Sequence, residues 1–411
     1  MIPKLKKDIT EKENQTVLAN EKCGMQMIPL SRPDITDKDK QAVMAVLDSN
    51  HLCLGPKLKE FEDKMAAYAG TKYAIACNSG TSGLHMIVAA LDIKDGDEVI
   101  TTPFSFIASA NCMLFERAKP VFVDIDEKTY NMNVAQIEEK ITKKTKAILP
   151  VHIFGQPVNM REIRRIALKH GLSIIEDSCE AIGAEWNGKK AGTMSDAGVF
   201  AFYPNKQMTT GEGGIVVTNS EKIAKLCYSL RNQGRGIDTQ WLNHVRLGYN
   251  YRMSDISAAL GLSQLERIDE IIAARQRVAD SYIEKFKGVN GVILPVIDER
   301  VKMSWFVFVI RFEDWIDRSL VMEILLGRGI GCRPYFTAIH LQPFYRELFG
   351  YTEGDYPITE RVASGTLAIP FFNKMTEEQI NIVVDEVKRA IRYASIADPE
   401  LRLKELVADV D

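Results

Sequence analysis

Seven short apolar runs between residues 73 and 218 constrain the fold more than any other feature of the chain. They are "YAIAC", "DEVIT", "KPVFVD", "KAILPV", "LSIIED", "GVFAFY" and "GGIVVT". Each has strand length and is bounded by turn-forming residues. The apolar character is continuous rather than alternating, which implies strands covered on both faces, the signature of a parallel sheet between helices. Most are separated by stretches such as "TSGLHMIVAALD" and "NMREIRRIALKHG", whose apolar residues fall three or four apart, as on one face of a helix. The expectation is an α/β domain with a mostly parallel seven-stranded sheet. The gap between "GVFAFY" and "GGIVVT" is too short for a helical crossover, so these two strands are antiparallel or not neighbours.

From Ser254 onward, "SDISAALGLSQLERIDEIIAARQRVADSYIEKF" carries long helical periodicity, followed by strand-like "SWFVFVIRF" and helix-like "RSLVMEILLGRG". This divides the chain into a flexible polar extension (1–27), a large domain (28–268) whose first helix is free to pack against the rest, and a smaller α+β domain (269–411).

Composition chiefly excludes. A net charge of -3, with no long Lys/Arg cluster, gives no track for a nucleic-acid backbone. The seven cysteines are odd in number and scattered, without a C-x-x-C pair, so they predict neither zinc nor a disulfide framework and fit a reducing cytoplasm. No metal site is expected. No window approaches the roughly 18 uninterrupted apolar residues of a membrane helix, and the first residues lack the apolar core of a secretion signal.

Three stretches carry chemistry. In "YAIACNSGTSGLH" a strand meets a glycine turn and a helix, so the N–H groups of Thr81 and Ser82 face outward at a helix N-terminus, a place that binds phosphate. An ordinary Ser/Thr cap would look the same, and the absence of G-K-[ST] argues against a nucleotide P-loop. "LSIIEDSCEAIGA" sets Glu176, Asp177 and Glu180 at the carboxyl end of a buried strand, where α/β folds place ligand groups, although loop acids are commonly just solvated. "VFAFYPNKQMTTGEGG" holds Lys206 between apolar strands and a glycine cluster. Most loop lysines are surface charges, but one held against apolar strands has its ammonium form disfavoured and its amine freed for covalent chemistry. Phosphate cup, acid and lysine together are what pyridoxal phosphate requires: the lysine takes the aldehyde, the acid pairs with the ring nitrogen, and the helix end holds the phosphate. A flat aromatic should cover the ring; Phe104 and Phe106 in "TTPFSFIASAN" are candidates, with the core as the alternative.

The order and spacing of "NSGTSGLH", "TTPFSFIASAN", "PVHIFGQPVNM", "IIEDSCEAIGA", "FYPNKQMTTGEGG" and "LGYNYRMSDISAALGLSQL" resemble the DegT/DnrJ/EryC1/StrS sugar aminotransferases, pyridoxal-phosphate enzymes of fold type I, from about residue 28 to about 388. The resemblance implies that Lys206 is the cofactor lysine and Asp177 the ring-nitrogen partner. It places Glu180 near the 3-hydroxyl and Phe106 as the stacking ring. Gly80, Thr81 and Ser82 match the phosphate turn, and Asn250 a residue reaching the phosphate from the neighbouring subunit of a homodimer. Many relatives carry a serine that contacts phosphate where this chain has Ala201. The C-terminal "SWFVFVIRF" and "GCRPYFTAIHLQPFYRELFGY" are most similar to members that aminate C4 of GDP-4-keto-6-deoxymannose. The implied substrates are glutamate and a nucleotide-linked keto-deoxysugar, with 3-keto or other 4-keto sugars as alternatives, and with Arg333 and His340 near the sugar. His340 could equally be an ordinary hydrogen-bonded histidine. A dehydratase would carry histidine in place of Lys206. A sensory or regulatory protein is the alternative of another class, and a nicotinamide enzyme would need the missing G-x-G-x-x-G turn.

Overall fold

The seven apolar runs pair into one sheet in the computed structural model, which describes residues 27–236 and 242–396. The strands are β1 (Tyr73–Cys77), β2 (Glu98–Thr101), β3 (Lys119–Phe122), β4 (Thr145–Ile148), β5 (Ser173–Asp177), β6 (Ala197–Ala201) and β7 (Gly214–Thr218). Their spatial order is β1-β7-β6-β5-β4-β2-β3. Neighbours from β6 to β3 are parallel, and β7 alone runs against the rest, antiparallel to both β6 and β1. The short β6–β7 connection therefore joins adjacent antiparallel strands, one of the two arrangements its length permits. The expected extension of residues 1–27 lies, apart from Met27, outside the described residues.

Alternation along the strands explains why both faces are covered. Ile75 and Cys77 of β1 pack with Leu84, Ile87 and Val88 of the helix Gly80–Ala90. Ala74 and Ala76 turn the other way, onto Leu58, Phe61 and Met65 of the helix Pro56–Ala69. On the far half of the sheet, the helix Met160–His170 lays Met160, Ile163, Ile166 and Ala167 on Ile148 and Ile174, starting at an Asn159 cap and stopping at left-handed Gly171 (φ 65°).

The C-terminal part is built on a three-stranded antiparallel sheet of Val292–Ile293, Phe308–Phe312 and Thr366–Ile369. The helices Ile268–Phe286, Arg318–Gly327 and Glu377–Ala394 cover it, and its core is continuous with that of the large sheet. The chain start is tied to this part rather than to the seven-stranded sheet: Ile28 bonds Gly329 and Gly331, and Phe371 N–H donates to Leu30. No helix among the described residues is long and apolar enough to cross a membrane.

Candidate active site

The carboxyl ends of the parallel strands open onto a cavity of about 440 Å³. Its floor begins where β1 leads into the helix Gly80–Ala90. Ser79 caps that helix, its Oγ accepting from the Ser82 N–H at 3.1 Å, while Ser82 Oγ donates to Asn78 at 2.7 Å. Ser82 is thus spent on the cap and does not line the cavity, which corrects its expected place in an open phosphate cup. The N–H groups of Gly80 and Thr81, first in the helix, have no acceptor within it and do line the cavity. Only glycine fits at position 80, because a Cβ there would lie 2.8 Å from both Ala201 Cβ and Cys179 Sγ.

The end of β5 supplies the acids. Alternation sends Glu176 to the opposite face, where it accepts from His152 Nε2 at 2.9 Å and from the N–H groups of Gly192 and Met194. Val158 N–H donates to the other ring nitrogen of His152, which fixes the proton on Nε2. Glu176 therefore serves the strand end rather than the cavity. Asp177 faces the cavity with 5% exposure; its Oδ1 accepts from Cys179 N–H at 3.1 Å and its Oδ2 from Ser109 Oγ at 2.6 Å. Glu180 accepts from Phe154 N–H at 2.9 Å. Burial pushes the Glu180 carboxyl above its ordinary range, and the nearby Lys206 ammonium opposes that shift.

Lys206 closes the arrangement from the loop between β6 and β7. Its Nζ lies 3.6 Å from Glu180 and 3.8 Å from the centre of the Phe306 ring, both contacts suited to a cation. The loop is held on several sides. Lys206 N–H donates to Tyr203 and Thr210 N–H to Phe202. Gln207 donates to the carbonyls of Glu180 and Ser304. Arg275, buried in the helix Ile268–Phe286, donates to the carbonyls of Lys206 at 3.1 Å and Phe306 at 3.2 Å.

Gly80, Thr81, Phe106, Asp177, Glu180 and Lys206 thus meet in one cavity, as the sequence led us to expect. Phe106 is 59% exposed on its wall, while Phe104 is fully buried against Phe154 and Phe336, so the first is available for a ligand and the second is core. Besides Ser82, three expected residues lie outside the cavity lining of this chain. Asn250 is exposed beside Asn78, its backbone carbonyl accepting from the Asn78 side chain. His340 is fully buried, 3.0 Å from Glu360 and edge-on to Tyr356, which is the ordinary hydrogen-bonded histidine of the two readings. Arg333 is exposed and bonds the Cys332 carbonyl, while its neighbours Tyr335 and Phe336 take the cavity wall instead. Sequence reasoning missed those two aromatics, Phe306, Arg275 and the serines Ser105 and Ser109. Only the serines left a trace, a close spacing in "SFIAS", although Ser105 lies in the bend before the helix that carries Ser109.

Pyridoxal phosphate fits this donor set: two free N–H groups for phosphate, an acid held as an acceptor, a lysine and an exposed ring share one enclosed space.

Known proteins agree with the geometry. The chain is 42% identical over 358 residues to an uncharacterised protein of Methanocaldococcus jannaschii, covering 84% of this chain and 92% of that one. It is 40% identical over 334 residues to the GDP-perosamine synthase of Caulobacter vibrioides, covering 80% and 89%. A Streptococcus pneumoniae protein titled as a sugar aminotransferase, solved in PLP and PMP forms, superposes with a TM-score of 0.85 at 27% identity, covering 89–90% of this chain and all of that one. The model of the DegT/DnrJ/EryC1/StrS aminotransferase family matches residues 33–388, and the chain belongs to that family of pyridoxal-phosphate-dependent sugar aminotransferases.

Proposed function

We propose that the enzyme transfers an amino group from glutamate to C4 of a nucleotide-linked 4-keto-6-deoxysugar, with GDP-4-keto-6-deoxymannose as substrate and GDP-perosamine as product. The observation that carries the chemistry is the convergence of Lys206, Asp177 and Glu180 on one cavity floored by a free helix start. The sugar rests on the likeness to GDP-perosamine synthase.

In this reading the bound cofactor supplies an aldehyde that takes up amines and a ring that withdraws electrons from the reacting carbon. Asp177 would hold the proton on the ring nitrogen, and the Gly80 and Thr81 N–H groups would hold the phosphate. Lys206 Nζ anchors the aldehyde at rest. With its amine free, Lys206 would take a proton from the donor carbon in one half-reaction and deliver a proton to the sugar carbon in the other. Glu180, 3.6 Å away, stabilises the ammonium formed each time. Glutamate leaves as 2-oxoglutarate, and the sugar carbonyl becomes the amine.

The enzyme works in the cytoplasm as a homodimer in this reading, with Asn250 serving the neighbouring subunit's cavity. Its exposure and its place outside its own cavity support that role.

The test is a half-reaction. Holoenzyme is mixed with glutamate and followed by absorbance, then challenged with GDP-, dTDP- and UDP-linked keto-sugars. Loss of the cofactor band with glutamate and its return with the GDP sugar alone is the expected result. A band unmoved by glutamate would favour a cofactor-binding regulator, and return with a different sugar would replace the substrate. Lys206→Ala should show no turnover while still folding.

A further inference from the structure

Asp177 sits at the end of a chain of hydroxyl groups that reaches it from a different segment. Ser105 Oγ lies 2.7 Å from Ser109 Oγ, and Ser109 Oγ lies 2.6 Å from Asp177 Oδ2. Both serines are buried, at 4% and 1% exposure, and both line the cavity beside Asp177. Ser109 Oγ is also 3.1 Å from the Phe106 carbonyl, but a hydroxyl has one proton to give. The shorter contact to a charged acceptor takes it. With that proton committed, the hydrogen between the two serines must come from Ser105. The direction of the chain is therefore Ser105 to Ser109 to Asp177, and each bond polarises the next.

A structural role alone explains this poorly. Ser109 stands inside the helix Ala108–Leu114 rather than at its cap, which is Ile107 without a side-chain bond. Two buried hydroxyls also cost free energy unless their bonds return it.

We propose that Ser109, backed by Ser105, is a positioning residue that fixes the rotamer of Asp177 so that one lone pair of Oδ2 faces the ring nitrogen of the cofactor. This rests on the reading of Asp177 as the partner of that nitrogen. The Cys179 N–H holds Oδ1 from the other side at 3.1 Å, so the carboxylate is clamped before the cofactor arrives. Removing Ser109 leaves Asp177 free to turn, and the loss falls on cofactor retention and on the chemical step rather than on donor binding.

The experiment uses full-length holoenzyme carrying Ser105→Ala, Ser109→Ala, both together, and Ser109→Thr. Cofactor retention on dilution is read by protein fluorescence, beside kcat and the KM for glutamate. Ser109→Ala should weaken retention and lower kcat by about tenfold each, the scale of one charge-assisted bond, with KM within about twofold. Ser105→Ala should do less, and add nothing once Ser109 is gone. Ser109→Thr should restore most of the loss. Wild-type retention and kcat in Ser109→Ala would overturn the proposal, as would a Ser105→Ala effect that persists in full without Ser109. Should Ser109→Ala not fold, Ser105→Ala decides alone, and unchanged retention and kcat there overturn the chain. Asp177→Ala separates the underlying reading: if it keeps the cofactor as tightly as wild type, the assignment of Asp177 fails instead.

Discussion

Replacing Arg275 by methionine should leave the fold about as stable as before while slowing the enzyme. Arg275 is 3% exposed and has no salt-bridge partner among the described residues. Burial pushes its pKa down to about 10, more than two units below its ordinary value. At about 1.4 kcal/mol for each pH unit, keeping the cation buried costs about 3 kcal/mol. Because the folded value lies below the unfolded one, that cost applies in full at any pH below about 10. Against it stand two hydrogen bonds to the carbonyls of Lys206 and Phe306. Leaving each carbonyl without a donor costs about 1–3 kcal/mol, and the guanidinium also rests 5.3 Å from the Phe371 ring centre. Methionine fills similar volume without charge, so the two sides nearly cancel and the net change should stay within about 2 kcal/mol. The loss appears in function, because Arg275 ties the backbone of Lys206 to that of Phe306, whose ring holds the lysine amine. We expect kcat to fall about tenfold, as for a displaced catalytic group. Denaturant unfolding and steady-state transamination measure the two. Destabilisation beyond about 4 kcal/mol would show that the bonds outweigh the burial cost, and wild-type kcat would show that the clamp does not position Lys206.

Two further outcomes follow from neighbouring residues. Ala201 lines the cavity against Gly80, so Ala201→Ser should add a hydroxyl to the phosphate cup and tighten cofactor binding by about tenfold; titration of cofactor-stripped protein showing no gain would place the phosphate elsewhere. His85 is buried, bonded to Glu116 at 2.8 Å and to the Tyr251 hydroxyl at 3.1 Å, and burial depresses its pKa below the ordinary 6.5, only partly offset by Glu116. As pH falls through 6.5 the unfolded chain takes a proton that folded His85 refuses, so stability drops below that pH; His85→Gln should flatten this slope in unfolding curves, and an unchanged slope would assign it to other groups.

The sheet was legible because its strands are continuously apolar, and the lysine because a cation between apolar strands and glycines needs a reason. Misplacements came where two local patterns compete. In "NSGTS" both Ser79 and Ser82 resemble caps, and only the folded turn shows that Ser79 takes the cap position and consumes the Ser82 N–H. His340 carried two readings because a buried histidine and a ligand-binding one have the same sequence. Of the residues that were invisible, Arg275 sits in an ordinary helix pattern, while Phe306, Tyr335 and Phe336 sit in irregular segments of the C-terminal part. Their role exists only through contacts with a loop made some 70 to 130 positions earlier, and no periodicity encodes such a meeting.

The loop bearing Lys206 leaves β6 at Ala201 and returns at Gly214 of β7, and the two strands are hydrogen-bonded neighbours. Its two ends are thus moored about 5 Å apart on the same ladder, and Gln207 and Arg275 tie its middle to Glu180, Ser304 and Phe306, so moving it as a flap would break those bonds. In the proposed reaction, the travel of the amine between its resting place and a substrate carbon then falls to rotation about the four side-chain torsions of Lys206. On that reading the moving part of the site is a single swivelling arm on a held mount.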